Sequence, residues 1–319
     1  MNIIELLRSI APYGLKKYIH WTRYQLQNYQ IYLIYGNDNP LKALYAIIRM
    51  NIFPASRILF YPSYPDTKQV VRKVCVLNRL KIVHNINHRY DVYHKHFDST
   101  FAHGIETKVQ DVSASINHHC NDISKSHVQR LFEEVFGYGL GVDPVVFEGL
   151  AVCKSDVNGY HDGAVVECPI SGDEKSGFVY QKFVDTEQDN GLCIDYRVPV
   201  YGGEVPIVYI KYKPTDDRFD KILRADYVKP HEVFSDQEIH QIGALATRLG
   251  ADFCEMDVLR DNLDGRIYVV DVNKTPSGPR RGFDAEQKRE VAAVVAEAYR
   301  KLTESRTGRS SEHNYTVAD

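Results

Sequence analysis

Residues 252–276 constrain the fold of this chain more than any other stretch. Asp252 to Asp257 and Arg266 to Asn273 each alternate in the manner of β-strands, with a polar break from Arg260 to Gly265 between them. The Asp264-Gly265 step is a strong hairpin signal. A hairpin with Asp261 opposite Ile267 sets Asp257 opposite Asp271, and Asn273, two residues on, shares that face. Two opposed carboxylates repel. A divalent cation would remove the conflict, and two carboxylates with an amide oxygen are hard ligands suited to Mg²⁺, which takes its other ligands from water and substrate phosphates. The plain alternative is a pair of solvated carboxylates. The apolar neighbours Val269, Val270 and Val272 argue for a buried strand and so for metal.

Asp257 followed by Asp271-Val272-Asn273 resembles the magnesium site of the ATP-grasp superfamily, with Asp271 standing where Glu is commoner. That shorter variant also occurs in the inositol-phosphate-kinase branch. The resemblance runs from Lys125 to Leu302 as an ordered set of short motifs. Lys154 ends an apolar strand before the Gly-bearing loop Ser155 to Gly163, like the family's phosphate-binding lysine and covering loop. Lys125 resembles a second nucleotide-contacting lysine. Gln181-Lys182-Phe183-Val184 resembles the linker whose backbone meets adenine, which implies contacts at Gln181, Lys182 and Val184 and a ribose contact at Glu187. Arg197, in Asp195-Tyr196-Arg197-Val198, and Lys211 on the next strand stand as candidates to stabilise the transferring phosphate. For Arg197 an ion pair with Asp195 on the same strand face is an equal reading. Arg280 and Arg281 follow the loop that borders the acceptor in the family.

Composition leaves room for this reading. The chain has 319 residues, 44% of them apolar, and a formal net charge of -3. This gives no sign of a sequence-independent nucleic-acid binder. No apolar run approaches the roughly 18 residues of a membrane span. The Tyr-rich start, Met1 to Tyr35, is broken by Arg8, Lys16, Lys17, His20 and Arg23 and lacks signal-peptide form; packing against its own domain is the favoured role, an amphipathic helix on a membrane the alternative. Six cysteines without a C-x-x-C pair read as buried thiols in a reducing cytoplasm.

From residue 30 to 86 the pattern alternates: strands at Ile31 to Tyr35, Arg57 to Tyr61 and Lys81 to Ile86, helices at Leu41 to Met50 and Asp66 to Leu80. This implies a small parallel α/β unit. The histidines between 84 and 127 fit no zinc spacing and read as polar or substrate-facing. Capping boxes at Ser126 and Ser235 open two helices, and five strands lie between them. A last helix spans about Asp284 to Leu302.

The expected fold is therefore α+β: a small α/β unit over residues 1–118, an ATP-grasp unit over 119–302, and a disordered tail over 303–319. The expected activity is that of a cytoplasmic Mg·ATP-dependent carboxylate–amine ligase working through an acyl phosphate on a small-molecule acceptor. A kinase acting on a hydroxyl or amide is the second reading, a non-catalytic nucleotide-binding module the third. The aromatic start and overall build also resemble ATP-grasp proteins linked to bacterial surface-polysaccharide synthesis.

Overall fold

The computed structural model describes residues 13–102, 108–160, 162–172, 174–217, 222–278 and 282–308. Arg280, Arg281 and His103 lie outside the described residues.

The chain opens with helices α1 (Tyr13–Tyr35) and α2 (Pro40–Ile52). Ile31 to Tyr35, expected as a strand, is the last part of α1. Five β-favouring residues are outweighed by tertiary contact: Ile31 is buried, and one turn earlier Asn28 accepts hydrogen bonds from Arg72 Nε and Nη2 at 3.3 and 3.1 Å. A parallel sheet follows in the order β2-β1-β3-β4, from β1 (Arg57–Pro62), β2 (Lys81–Val83), β3 (Val92–His96) and β4 (Ser115–Ile116), with α3 (Val70–Leu77) between β1 and β2. β3 was not anticipated. Its sequence, Val-Tyr-His-Lys-His, looks polar, yet all five residues are buried. His94 and His96 are therefore not substrate-facing; they pack on Phe60, and His94 also on Phe253 and Tyr299.

Next comes α4 (Lys125–Phe136). Its N-cap is Ser124, not Ser126, because Asp156 takes the backbone N–H and hydroxyl of Ser126 at 2.7 and 2.9 Å. A three-stranded antiparallel sheet, β6-β5-β7, is built from β5 (Gly149–Ser155), β6 (Ala164–Cys168) and β7 (Phe178–Lys182). A five-stranded antiparallel sheet then runs β10-β9-β8-β11-β12. Its members are β8 (Leu192–Tyr201), β9 (Val208–Pro214), β10 (Arg224–Val228), β11 (Phe253–Arg260) and β12 (Ile267–Asn273). Helix α5 (Asp236–Arg248) opens with the expected Ser235–Glu238 capping box. Phe132, Ile242, Leu245, Met256 and Val269 join α4, α5 and the five-stranded sheet in one core.

Helix α6 (Ala285–Thr307) runs five residues past the expected end at Leu302, into what was read as tail. Thr303 is buried, Arg300 pairs with Glu304, Arg306 pairs with Asp252, and the stop is Gly308 in the left-handed conformation. The helix packs on the N-terminal unit: Val291, Val295 and Tyr299 share a core with Ile58, Phe60 and Val74. Asn117 fastens the same join, exchanging hydrogen bonds of 2.8 Å with the backbone of Phe253 at the head of β11.

Candidate active site

The β11–β12 hairpin does set Asp257 opposite Asp271, but by a route the sequence does not show. Near the turn Arg260, not Asp261, pairs with Ile267. One extra residue in β12, at Val270, then restores the Asp257–Asp271 pairing. β12 is the sheet's edge, and its open carbonyls are covered from across the cleft. Lys154 Nζ donates to Val270 at 3.0 Å and Asn158 Nδ2 to Val272 at 2.9 Å. Edge carbonyls met by cations and amides do not recruit a foreign strand.

The expected conflict between the two carboxylates is resolved by the protein's own cations. Arg197 holds Asp257 bidentately, Nε and Nη2 each at 2.7 Å, and Lys211 Nζ adds a contact to Oδ1 at 2.8 Å. Arg197 therefore does not pair with Asp195, which instead meets Lys213 at 2.5 Å and Lys211 at 3.8 Å. Burial alone would raise the pKa of Asp257; Arg197 and Lys211 outweigh it and hold the carboxyl well below the usual range.

Asp271 is in the opposite condition. Its Oδ1 is buried with no hydrogen-bond partner among the described residues, while the side chain as a whole is 33% exposed. The nearest cation is Lys125 Nζ at 3.9 Å, itself engaged with Val157 O and Asn158 Oδ1. Burial and the neighbouring Asp257 charge raise the pKa of Asp271. Burial pushes the Lys154 amine down to about 8, with Asp271 opposing. An unsatisfied carboxylate oxygen among lowered lysines is a place where a hard cation and bound anions would improve every contact. Asp271 fits a metal directly. Asp257 fits only when Lys211 releases Oδ1. The Oδ1 of Asn273 accepts from Thr275 N at 2.8 Å and keeps one lone pair. Among the described residues no three acidic, His or Cys side chains converge, so substrate oxygens would have to complete such a site.

Two clefts meet at these carboxylates. The first, of about 1000 Å³, lies between the three-stranded sheet and the β11–β12 edge. It gathers Lys125, Lys154, Gln181, Lys182, Val184 and Asp271. The second opens on the other side of Asp257 and Asp271, toward Arg197, Lys211, Asn273, Lys274 and Thr100. Glu187 is exposed and lines neither. The Lys182 side chain is tied to the hairpin turn, with Asp261 and Asp264 at 3.0 Å and Tyr268 Oη at 2.6 Å, and its backbone N–H goes to Leu140 O. Its backbone donor is thus already used.

Sequence reading missed Glu255, Lys213 and Asn158. Glu255 lies two before Asp257 and Lys213 two after Lys211, so strand periodicity alone put both on the site's face. Glu255 reaches Arg197 at 3.5 Å. Asn158 carried no such signal.

A three-stranded sheet clamped over the edge of a larger antiparallel sheet, with a lysine-lined cleft between, defines the ATP-grasp fold. Two solved structures of the ATP-grasp ligase PsnB are similar to it. The complex with a minimal precursor matches at a TM-score of 0.51 and 14% identity, over 78% of this chain and 98% of that one. The complex with minimal precursor, Mg and ADP matches at 0.51 and 14%, over 77% and 96%. No family model and no curated protein matches the sequence.

Proposed function

We propose that the protein is an ATP-dependent carboxylate–amine ligase. The observation that carries this reading is the unpartnered, buried Oδ1 of Asp271 facing a cleft into which Lys125 and Lys154 also turn. In this reading the first cleft takes the nucleotide. Lys154 and Lys125 hold its phosphates, and Gln181, Lys182 and Val184 line the base end. Glu187 is a ribose partner only if its segment moves inward. Bound magnesium would neutralise phosphate charge from Asp271, Asn273 and, once Lys211 lets go, Asp257. Arg197 and Lys211 then stand between the two clefts, where charge develops during phosphoryl transfer. The second cleft takes the acceptor.

The reaction balances without a side-chain nucleophile. A substrate carboxylate oxygen bonds to the γ-phosphorus as ADP leaves. An amine then bonds to the acyl carbon, phosphate departs and the nitrogen loses a proton. The test is a screen of amino acids, amino sugars, uronic acids and peptides for amine-dependent ADP release, with the carboxylate labelled with oxygen-18. Label appearing in free phosphate is the expected result. Phosphate retained on the product would make the protein a kinase, and no turnover with any acceptor would overturn the enzyme reading.

A further inference from the structure

α2 is apolar on two sides and uses only one of them. Ala43, Ala46, Ile47 and Met50 face the protein and are buried. Leu41, Leu44, Tyr45, Ile48 and Ile52, at spacings of three, four, seven and eleven, form a second stripe that is exposed, Leu41 to 77%. Phe53 extends it at the helix end, 65% exposed. α1 lies alongside, joined through reciprocal hydrogen bonds between Gln25 and Asn51. On the same helix face as Gln25 stand Tyr18 and Trp21, with Leu26 beside them; Trp21 is 51% exposed.

The charge of this face is one-sided. α1 contains Lys16, Lys17 and Arg23, α2 contains Lys42 and Arg49, and neither helix contains an Asp or Glu. Asp38 in the connecting turn is engaged by Arg289 at 3.0 Å. This stands against a net charge of -3 for the whole chain. A projecting apolar stripe with Trp and Tyr, flanked only by basic residues, matches the chemistry of a helix lying in a lipid interface. Among the described residues no helix is long and apolar enough to cross a membrane, so such contact would be peripheral. Two copies packed through this face about a two-fold axis would set basic residues against basic residues.

We infer that the α1–α2 face docks on an anionic lipid surface. The full chain supplies its own probe, because Trp21 is the sole tryptophan. Emission is measured with vesicles of phosphatidylcholine alone and with roughly one-third phosphatidylglycerol. A shift to shorter wavelength and quenching by brominated lipid are expected only with the anionic vesicles. About 1 M NaCl, where screening falls to roughly 3 Å, should weaken binding severalfold. Leu44→Glu with Ile48→Glu should reduce partitioning by about tenfold or more. Unchanged Trp21 emission with anionic vesicles overturns the proposal. So does a Trp21 already shielded from aqueous quencher in vesicle-free protein, whether by a second copy or by the chain's own first residues. Capture of an acidic peptide without any vesicle binding would also overturn it, assigning the face to a protein partner.

Discussion

β3 and β11 both carry ionisable side chains into a core, and they do so on different terms. β3 buries His94 and His96. His94 Nδ1 meets Tyr299 Oη at 3.0 Å, but His94 Nε2 and both nitrogens of His96 have no partner among the described residues. Burial drives both imidazoles toward the neutral form, His96 to a pKa of about 4. β11 buries Glu255 and Asp257 as charges, against Arg197 and Lys211. A neutral imidazole is tolerated in a core by losing its proton, whereas a charge must be paired. The paired strand is also the one whose pairing is incomplete, because Asp271 across from Asp257 lacks the partner its neighbour has. That incompleteness is where the difference between packing and function lies.

The largest expected effects come from the two aspartates, and they should separate. Asp271→Asn removes an uncompensated charge, so thermal stability should hold or rise while turnover falls by more than ~10²-fold. Asp257→Asn should also lower turnover, but it strands Arg197 and Lys211 and should cost about 3–5 kcal/mol in denaturant unfolding. Near wild-type turnover for Asp271→Asn at saturating Mg²⁺ would make Asp271 a structural residue. Equal stability losses in both variants would erase the contrast drawn between them.

Lys154 tests the same idea with the sign reversed. Its folded pKa of about 8 is depressed, so its contribution to stability is full only above its unfolded pKa and is lost as pH falls through about 8. At pH 7 the cation is thus a liability to the fold, kept in the reading offered here for phosphate. Lys154→Met should raise the melting temperature and weaken Mg·ATP binding by roughly 1.5–3 kcal/mol in calorimetry. Wild-type affinity should fall as pH rises through about 8, and the variant should lose that dependence. A variant that binds Mg·ATP like wild type removes Lys154 from the site.

On β3 the linkage concerns acid. The unfolded chain protonates His96 near its ordinary value while the folded chain resists to about 4, so stability is full above that ordinary value and lost as pH falls toward 4. His96→Leu should flatten this acid limb in urea titrations and leave nucleotide binding unchanged. An acid limb of the same slope in the variant would move the linkage to other groups.

How much of this was legible depended on whether a residue's role followed from its neighbours in sequence. The ends of β6, Ala164–Cys168, and the Ser235 cap were readable because alternation and local hydrogen bonding decide them. The Asp257–Asp271 opposition was readable too, though the bulge at Val270 that makes it true was not, since a bulge depends on what meets the edge strand. Arg197's partner was missed because Asp195 is near in sequence and Asp257 lies on the neighbouring strand, paired with Arg197 itself. β3 was missed because three of its five side chains are polar, and only tertiary burial makes them core.

The smallest effect concerns the loop after Lys154, expected from its sequence to be free throughout. Its first half is not. Ser155 is bonded through its N–H and hydroxyl to Asp162 at 3.0 and 2.5 Å, and the Lys125 backbone N–H donates to Asp156 O at 3.1 Å. Asn158 is the central pin: its N–H donates to Thr100 Oγ1, its amide to Ile123 and Val272 carbonyls, and its oxygen accepts from Lys125. Beyond it, Gly159 takes a φ of +89° that favours glycine, and Tyr160 is 68% exposed. Partnered backbone has little protection left to gain, so a non-hydrolysable ATP analogue with Mg²⁺ should slow hydrogen exchange from Gly159 to Gly163 and scarcely change it from Ser155 to Asn158. Asn158→Ala, which frees two carbonyls and one lysine donor, should cost about 1–3 kcal/mol and spread the ligand-dependent protection back to Ser155. Uniform protection across the wild-type loop would mean that these bonds open before nucleotide enters, and that partnered and unpartnered halves are not distinct in solution.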